Sequence, residues 1–367
     1  MDNFEEIVNK LQEEERYDEV IDLCNKEIAD NPKNAQAYYE KAWAEDSLRQ
    51  ESQALLDINK SINLLKNYLN LSLKGYILWR LNDKEGAIKI FEEALKQNSK
   101  SLEALDGICD CYYFKHDYEN AIKYAKRILV ISPNDAKAIN RIGNIERKFR
   151  HFDIAIQTFI RAIESDPKRE IFYWDLGNCY CDINKYDEAI KVYQKAIELD
   201  ETYADAYWMI GNVYKYKRDL HTAIEYYTKA INLYPKGSPQ LYFGDRAFAY
   251  KEIKEYDRAL NDINTAIELD CSFAGSYYLK AGIEYEMNLN EAVIKDLKKS
   301  LECDKSFIPS YVALICIYSE LKKYKEARKY LKQGLKIEPK NQELLKLKEE
   351  LQQYTFLGKL KSFFKRK

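Results

Sequence analysis

The sequence predicts an all-α fold, an α-solenoid of stacked antiparallel helix pairs, and three observations carry that prediction. The chain repeats itself at a period close to 34 residues. Inside each period the apolar residues follow helical spacing twice over. Glycine and proline, the residues that break helices, number only 12 and 7 in 367 residues.

The repeat is visible by eye. Gly177–Asp200 reads GNCYCDINKYDEAIKVYQKAIELD, and 34 residues later Gly211–Pro235 reads GNVYKYKRDLHTAIEYYTKAINLYP. One alanine serves as a reference through the whole chain, at Ala54, Ala87, Ala121, Ala155, Ala189, Ala223, Ala259 and Ala327, with Val20 and Val293 in the two other slots. The step is 34 throughout, except 33 before Ala87 and 36 before Ala259. Seven residues after the reference comes a second small residue in most units, such as Ala94, Ala162, Ala196, Ala230, Ser61, Ser300 or Gly334. Prolines close units at Pro32, Pro133, Pro167, Pro235 and Pro339.

Each unit reads as two helices. Tyr207, Ile210, Gly211 and Tyr214 form one apolar stripe at i, i+3, i+4, i+7, and Ala223, Tyr227 and Ala230 form the facing one. Antiparallel helices come close only where side chains are small. Gly75, Gly143, Gly177 and Gly211 occupy that contact position on the first helix, and Ala42, Ala247 and Ala281 do so in other units. A proline then stops the second helix. One such pair cannot bury its own apolar faces, so its stability has to come from its neighbours.

At these residues the chain resembles the tetratricopeptide repeat family, whose unit runs aromatic, leucine-glycine, tyrosine, alanine, aromatic, alanine, proline. One unit carries Tyr173, Leu176, Gly177, Tyr180, Ala189, Tyr193 and Ala196, with Glu201 in the proline slot. The resemblance covers about ten units within residues 1–340, approximately 1–34, 35–67, 68–101, 102–135, 136–169, 170–203, 204–239, 240–273, 274–307 and 308–341. Residues 35–100 depart most, with Lys66 and Ser99 for proline and Ser61 for alanine. A C-terminal capping helix over 341–354 and a basic amphipathic tail over 355–367 complete the expected organisation. The resemblance implies a right-handed superhelix with a concave groove.

Composition excludes several functions. Charged residues at 32% and hydrophobic residues at 46% describe a folding chain, and a net charge of −2 gives no field for nucleic acid. The start, MDNFEEIVNKLQEEE, is acidic and lacks the apolar core of a secretory signal, and no apolar run is long enough to span a bilayer. Eleven acids against three bases in residues 1–32 suit a solubilising end of a solenoid. Cys109/Cys111 and Cys179/Cys181 point to opposite sides of a helix, and His116, His151 and His221 are scattered. Neither set makes a metal site, and reduced cysteines point to an intracellular, cytoplasmic protein. The sequence has no phosphate loop, no HExxH and no GxSxG. No catalytic residue, cofactor or metal is therefore expected, and the chain reads as a scaffold that binds a protein or peptide.

Numbering each unit with the reference residue as position 20 separates the core from the rest. Positions 4, 7, 8 and 11 form the core stripe of the first helix, and positions 5, 9 and 12 form another face, which the family resemblance places on the groove. All four tryptophans fall there: Trp43 at 9, Trp79 at 12, Trp174 and Trp208 at 5. Large aromatics off a core stripe mark binding surfaces. For Trp43 and Trp79, packing across the groove is an equal alternative. Position 9 holds Asn144, Asn178 and Asn212 in succession, an amide row able to donate to and accept from an extended peptide, or else to satisfy local polar groups. Around it stand Asn140, Arg147, Lys148, Lys215 and Tyr216, whose three cations suggest a ligand of acidic character.

Some members of the family clamp a chaperone's C-terminal carboxylate with two lysines, two asparagines and an arginine at fixed positions. Starting from Asn144, the other four slots hold Asn140, Asp175, Asp205 and Met209; starting from Asn178 they hold Trp174, Met209, Leu241 and Asp245. The clamp is absent. Beyond the 36-residue unit, position 9 changes to Phe248, Gly282 and Cys316, so the groove chemistry is expected to change there. In the tail, Phe356, Leu360, Phe363 and Phe364 follow helical spacing, and Lys365 and Arg366 belong to a set of five cations without an acid. Such a segment lies on an anionic membrane, enters a partner's groove or folds back as a cap. The alternative function is accordingly a peripheral membrane adaptor tethered by this tail.

Overall fold

A computed structural model gives the structure of the protein and describes residues 2–233 and 237–352. Helix is the regular structure throughout the described residues. The chain divides into two compact units, Met1–Ile183 and Asn184–Lys367. The first holds α1 (Asp2–Glu13), α2 (Tyr17–Asp30), α3 (Ala35–Ser47), α4 (Glu51–Leu64), α5 (Tyr68–Arg80), α6 (Lys84–Gln97), α7 (Leu102–Phe114), α8 (Tyr118–Ile131), α9 (Ala136–Lys148), α10 (Phe152–Ser165) and α11 (Glu170–Asp182). The second holds α12 (Tyr186–Leu199), α13 (Ala204–Tyr216), α14 (Leu220–Asn232), α15 (Pro239–Glu252), α16 (Tyr256–Leu269), α17 (Ala274–Glu286), α18 (Asn290–Cys303), α19 (Ile308–Glu320) and α20 (Tyr324–Ile337), followed by helix over residues 342–352. Within each unit a helix packs mainly on the helices next to it in sequence.

Every odd-numbered helix from α1 to α19 ends in the same way. One residue takes left-handed backbone: Glu15, Arg49, Asn82, His116, Arg150, Asn184, Arg218, Lys254, Asn288 and Lys322, with φ between 55° and 65°. After α3 the Gln50 N–H donates to the Glu45 carbonyl at 2.9 Å, and the Arg49 N–H to that of Asp46 at 3.1 Å. These two hydrogen bonds to the last turn satisfy carbonyls that the helix itself leaves open and reverse the chain. Aspartates cap several of the following helices; the Asp83 carboxylate accepts from the Gly86 N–H, and Asp219 from that of Thr222.

The paired helices meet over matched volumes. The reference residues are buried, most of them completely. Where position 8 is glycine, position 24 on the facing helix carries a large ring: Gly75 with Phe91, Gly143 with Phe159, Gly211 with Tyr227. A Cβ added to those glycines would lie 2.5, 2.7 and 2.6 Å from the ring carbons, closer than real side chains come. Phe91 also touches Gly107 of α7 and so fills the space between two successive first helices. Where position 8 is alanine, position 24 is aliphatic: Ala42 with Ile58, Ala247 with Ile263 and Ala281 with Leu297. A ring the size of Phe91, fully buried, contributes about 2–3 kcal/mol by its burial.

Three pairs also bury charge. Lys41 of α3 lies 3.0 Å from Asp57 of α4 and 3.7 Å from Glu45, and Lys280 of α17 lies 3.3 Å from Asp296 of α18 with Glu284 beside them. Arg246 of α15 grips Asp262 of α16 with two nitrogens, at 2.7 and 2.9 Å. Burial, then the neighbouring aspartate, pushes Glu45 and Glu284 up to about 7.

The 36-residue unit is accommodated between α14 and α15. Residues 234–236, including Pro235, lie outside the described residues. Gly237 has φ +73°, a backbone that favours glycine. Beside it the Tyr242 hydroxyl donates to Asp205 at 2.5 Å and accepts from the Ser238 N–H at 2.9 Å, anchoring the start of α15 on α13. At the other end, helix 342–352 covers α19 and α20 with the buried Leu344 and Leu351. Tail residues Phe356, Leu360, Phe363, Phe364, Lys365 and Arg366 lie outside the described residues.

Candidate functional site

The helical period puts positions 5, 9 and 12 of each first helix on one face. In the first unit this face is stitched from one first helix to the next. Arg141 of α9 reaches back to both Asp106 and Asp110 of α7, with Nε and Nη2 at 2.7 and 2.9 Å from the Asp110 carboxylate. Asn140 and Asn144 of α9 both donate to one oxygen of Asp175 in α11, at 2.6 and 2.8 Å. Arg147 pairs with Asp182 at 2.6 Å. Asp175 is only 5% exposed. Burial pushes its carboxyl up, against the two amide donors that favour its charge. In the second unit Trp208 Nε1 and Lys215 Nζ of α13 both bind Asp245 of α15, at 2.8 and 2.7 Å.

These bonds revise two expectations. The amide row is expected off the core, facing an extended peptide or else satisfying local polar groups. Asn178 and Asn212 are instead buried, and the Asn212 carbonyl oxygen accepts from the Tyr227 hydroxyl at 2.9 Å. The tyrosine that fills the space opposite Gly211 reaches position 9 with its hydroxyl. Two of the three cations offered for an acidic ligand, Arg147 and Lys215, are neutralised by an acid of the following first helix. Lys148 stays exposed without a partner among the described residues, and Tyr216 is exposed and stacks on Tyr186.

The other tryptophans divide differently. Trp43 packs edge-on against Tyr17 at 5.7 Å and belongs to the α3–α4 core. Trp79 packs against Phe114 at 5.7 Å. Trp79 and Trp174 bury their indole N–H groups without an acceptor among the described residues.

Where the asparagines give out, the same face opens. Phe248 and Lys251 of α15, Tyr278, Gly282 and Tyr285 of α17, and Cys316 and Glu320 of α19 line a cleft of 660 Å³, with Leu279 and Ile317 behind them. Gly282 is in the lining. A Cβ added there meets only the Lys251 Cε, at 3.7 Å, so packing does not require this glycine, unlike Gly211. The walls are aromatic: Tyr278 stands edge-on to Phe307, and the Tyr285 hydroxyl donates to Glu320 at 3.1 Å. An enclosure of this size, mostly apolar with a few polar groups, suits one or two large side chains of a bound segment. The sequence marks Phe248, Gly282 and Cys316 as a change in groove chemistry but does not single them out as a site. The available signal was a small residue at position 9 between tyrosines at positions 5 and 12 of one helix.

Models of the tetratricopeptide repeat match residues 73–136, 204–236 and 308–341, and a TPR repeat model matches 177–217. Those stretches are tetratricopeptide repeats. The chain is 28% identical over 147 residues to the TPR repeat-containing protein MJ1428 of Methanocaldococcus jannaschii, a stretch that covers 38% of the chain and 26% of that protein. It is 34% identical over 106 residues to MJ0798 of the same organism, covering 28% of the chain and 29% of the relative. Hsp70-Hsp90 organizing protein 3 of Arabidopsis thaliana is 27% identical over 86 residues, 23% of the chain and 15% of that protein. The chain thus spans less than a third of each of these relatives. Two solved structures share the fold. One is the APC/C hetero-tetramer Cut9-Hcn1, with TM-score 0.51 at 13% identity over 94% of this chain and 95% of that one. The other is PilW, a type IV pilus biogenesis factor, with TM-score 0.53 at 14% identity over 58% and 97%. Among the described residues no helix is long and apolar enough to cross a membrane, and no group of three or more histidine, cysteine or acidic side chains is placed to hold a metal.

Proposed function

We propose that this chain is a non-catalytic scaffold that binds an extended segment of a partner protein, with the segment's apolar side chains seated in the cleft of α15, α17 and α19. The cleft over Gly282 carries the reading, because it is a cavity that the packing of the helices does not need. Its aromatic walls offer large contact area at little entropic cost, as hot spots of binding surfaces do. An acidic ligand on the asparagine face would have to displace Asp182 or Asp245 from the cations they hold. Within the second unit that face enters the proposal through the exposed Tyr216, as an extension for the polar part of a ligand. The reading includes an intracellular setting: Cys24, Cys109 and Cys111 pack as buried apolar side chains, their thiols pushed up to about 12, which suits a reducing compartment.

Gly282→Leu tests the cleft. The substitution puts a large side chain into the lining and replaces a glycine in mid-helix, so folding should hold or improve by up to about 1 kcal/mol. Peptides selected from a displayed random library on the wild-type chain should share a large apolar residue. They should lose tenfold or more in affinity for Gly282→Leu. Selected peptides that bind both proteins equally would sink this site. The second reading, a peripheral membrane adaptor, rests on the five tail cations, and flotation with anionic vesicles tests it.

A further inference from the structure

One acid lines the cleft and two more lie near its Cys316 wall. Glu320 lines it, and Glu343 and Glu350 on helix 342–352 lie, with Glu320, within electrostatic reach of the Cys316 thiol. Burial pushes that thiol up, and the three carboxylates add to it. The one cation in the lining, Lys251, is paired with Glu252 at 3.1 Å. None of the three acids is in an ion pair among the described residues, and an apolar cleft with such acids beside it calls for a ligand that is apolar and basic together.

This chain carries such a segment. Residues 355–367, TFLGKLKSFFKRK, hold Phe356, Leu360, Phe363 and Phe364 with five cations and no acid. The described structure stops at residue 352, at the end of the helix that carries Glu343 and Glu350. The remaining 15 residues span up to about 50 Å when extended. The tail therefore follows directly on the helix that carries two of these acids.

We infer that residues 355–367 occupy the α15–α17–α19 cleft of their own chain, as a resident peptide that an outside ligand has to displace. Phenylalanines fill the space over Gly282, and the cations meet Glu320, Glu343 and Glu350. The inference rests on the cleft being a peptide site, as proposed above. It adds the ligand's chemistry, basic and apolar, and a regulation, since a tethered occupant competes at an effective concentration on the order of millimolar.

The test uses a fluorescent synthetic peptide of residues 355–367 against three full-length proteins. One is wild type. The second carries Phe356→Ala, Phe363→Ala and Phe364→Ala. The third adds Gly282→Leu to those. The peptide should bind the tail variant at least tenfold more tightly than wild type, and Gly282→Leu should abolish that binding. Wild-type flotation on phosphatidylserine vesicles should rise with Gly282→Leu alone, because the tail is released. Equal binding to wild type and tail variant, or none to either, overturns the inference. So does binding that ignores Gly282→Leu, or wild-type self-association that accounts for the weaker binding, which would put the tail in a second copy. If library peptides still depend on Gly282 while this peptide does not bind, the inference alone fails; if no peptide depends on Gly282, the cleft reading fails with it.

Discussion

Ten residues in left-handed backbone close the first helices of this chain, and none of them is glycine. Three are asparagine, which tolerates that conformation; five are arginine or lysine, which hold it against a cost of about 1–2 kcal/mol from Cβ crowding. Arg218 makes no interaction among the described residues that glycine would lose. Arg218→Gly should raise stability by about 0.5–1 kcal/mol after the entropy glycine gains in the unfolded chain. Asn288→Gly should gain less, and urea denaturation reads both. Glu45 and Glu284 work in the opposite sense. Their folded pKa, about 7, stands above the ordinary 4.5. The fold therefore favours their protonated form, and the stability they contribute is present below pH 4.5 and lost as pH rises through 7. The double variant Glu45→Gln, Glu284→Gln should flatten the pH dependence of the melting temperature between pH 4.5 and 7.5, and an unchanged slope would refute the assignment. At this scale the sequence was least legible. Asn212 stands off the core stripe in number, yet Tyr227 carries its hydroxyl to position 9 and draws the amide into the core. That depends on ring size at position 24, which a reading of the first helix alone does not weigh.

The helix pairs were legible because their signals are local: two stripes, a small residue at each contact and a proline at the exit. The matching of volumes between positions 8 and 24 was there as well, spread over two helices. It makes a specific forecast. Gly143→Ala drives a Cβ to 2.7 Å from the Phe159 ring and should cost about 1–3 kcal/mol. Phe159→Leu leaves a cavity and should cost a similar amount. The double variant recreates the alanine–aliphatic combination that Ala42 and Ile58 already use. It should be more stable than the sum of the two losses by about 1 kcal/mol or more. A double-mutant cycle by equilibrium denaturation decides it, and strict additivity would mean the pairing is not what sets the helix separation.

For the whole molecule, the repeat period predicted the all-α stack, while the cleft followed from one glycine whose neighbours had to be seen. The same construction governs how stability is shared. Within each unit packing runs mainly between helices adjacent in sequence, so a loss at one place is felt by its neighbours and decays beyond them. Leu344 is buried completely and closes the end of the stack against Gly334 and the α19–α20 core. Leu344→Ala should cost about 2–5 kcal/mol locally. In a two-state protein that cost would lower amide protection everywhere alike. Here hydrogen exchange at low denaturant should lose protection in α19, α20 and residues 342–352, while α13 and α14 of the same unit keep theirs. Uniform loss across α13 to α20 would show that the second unit folds as one cooperative block, and that an occupant of the cleft at α15, α17 and α19 stabilises α13 and α14 as much as the helices it touches.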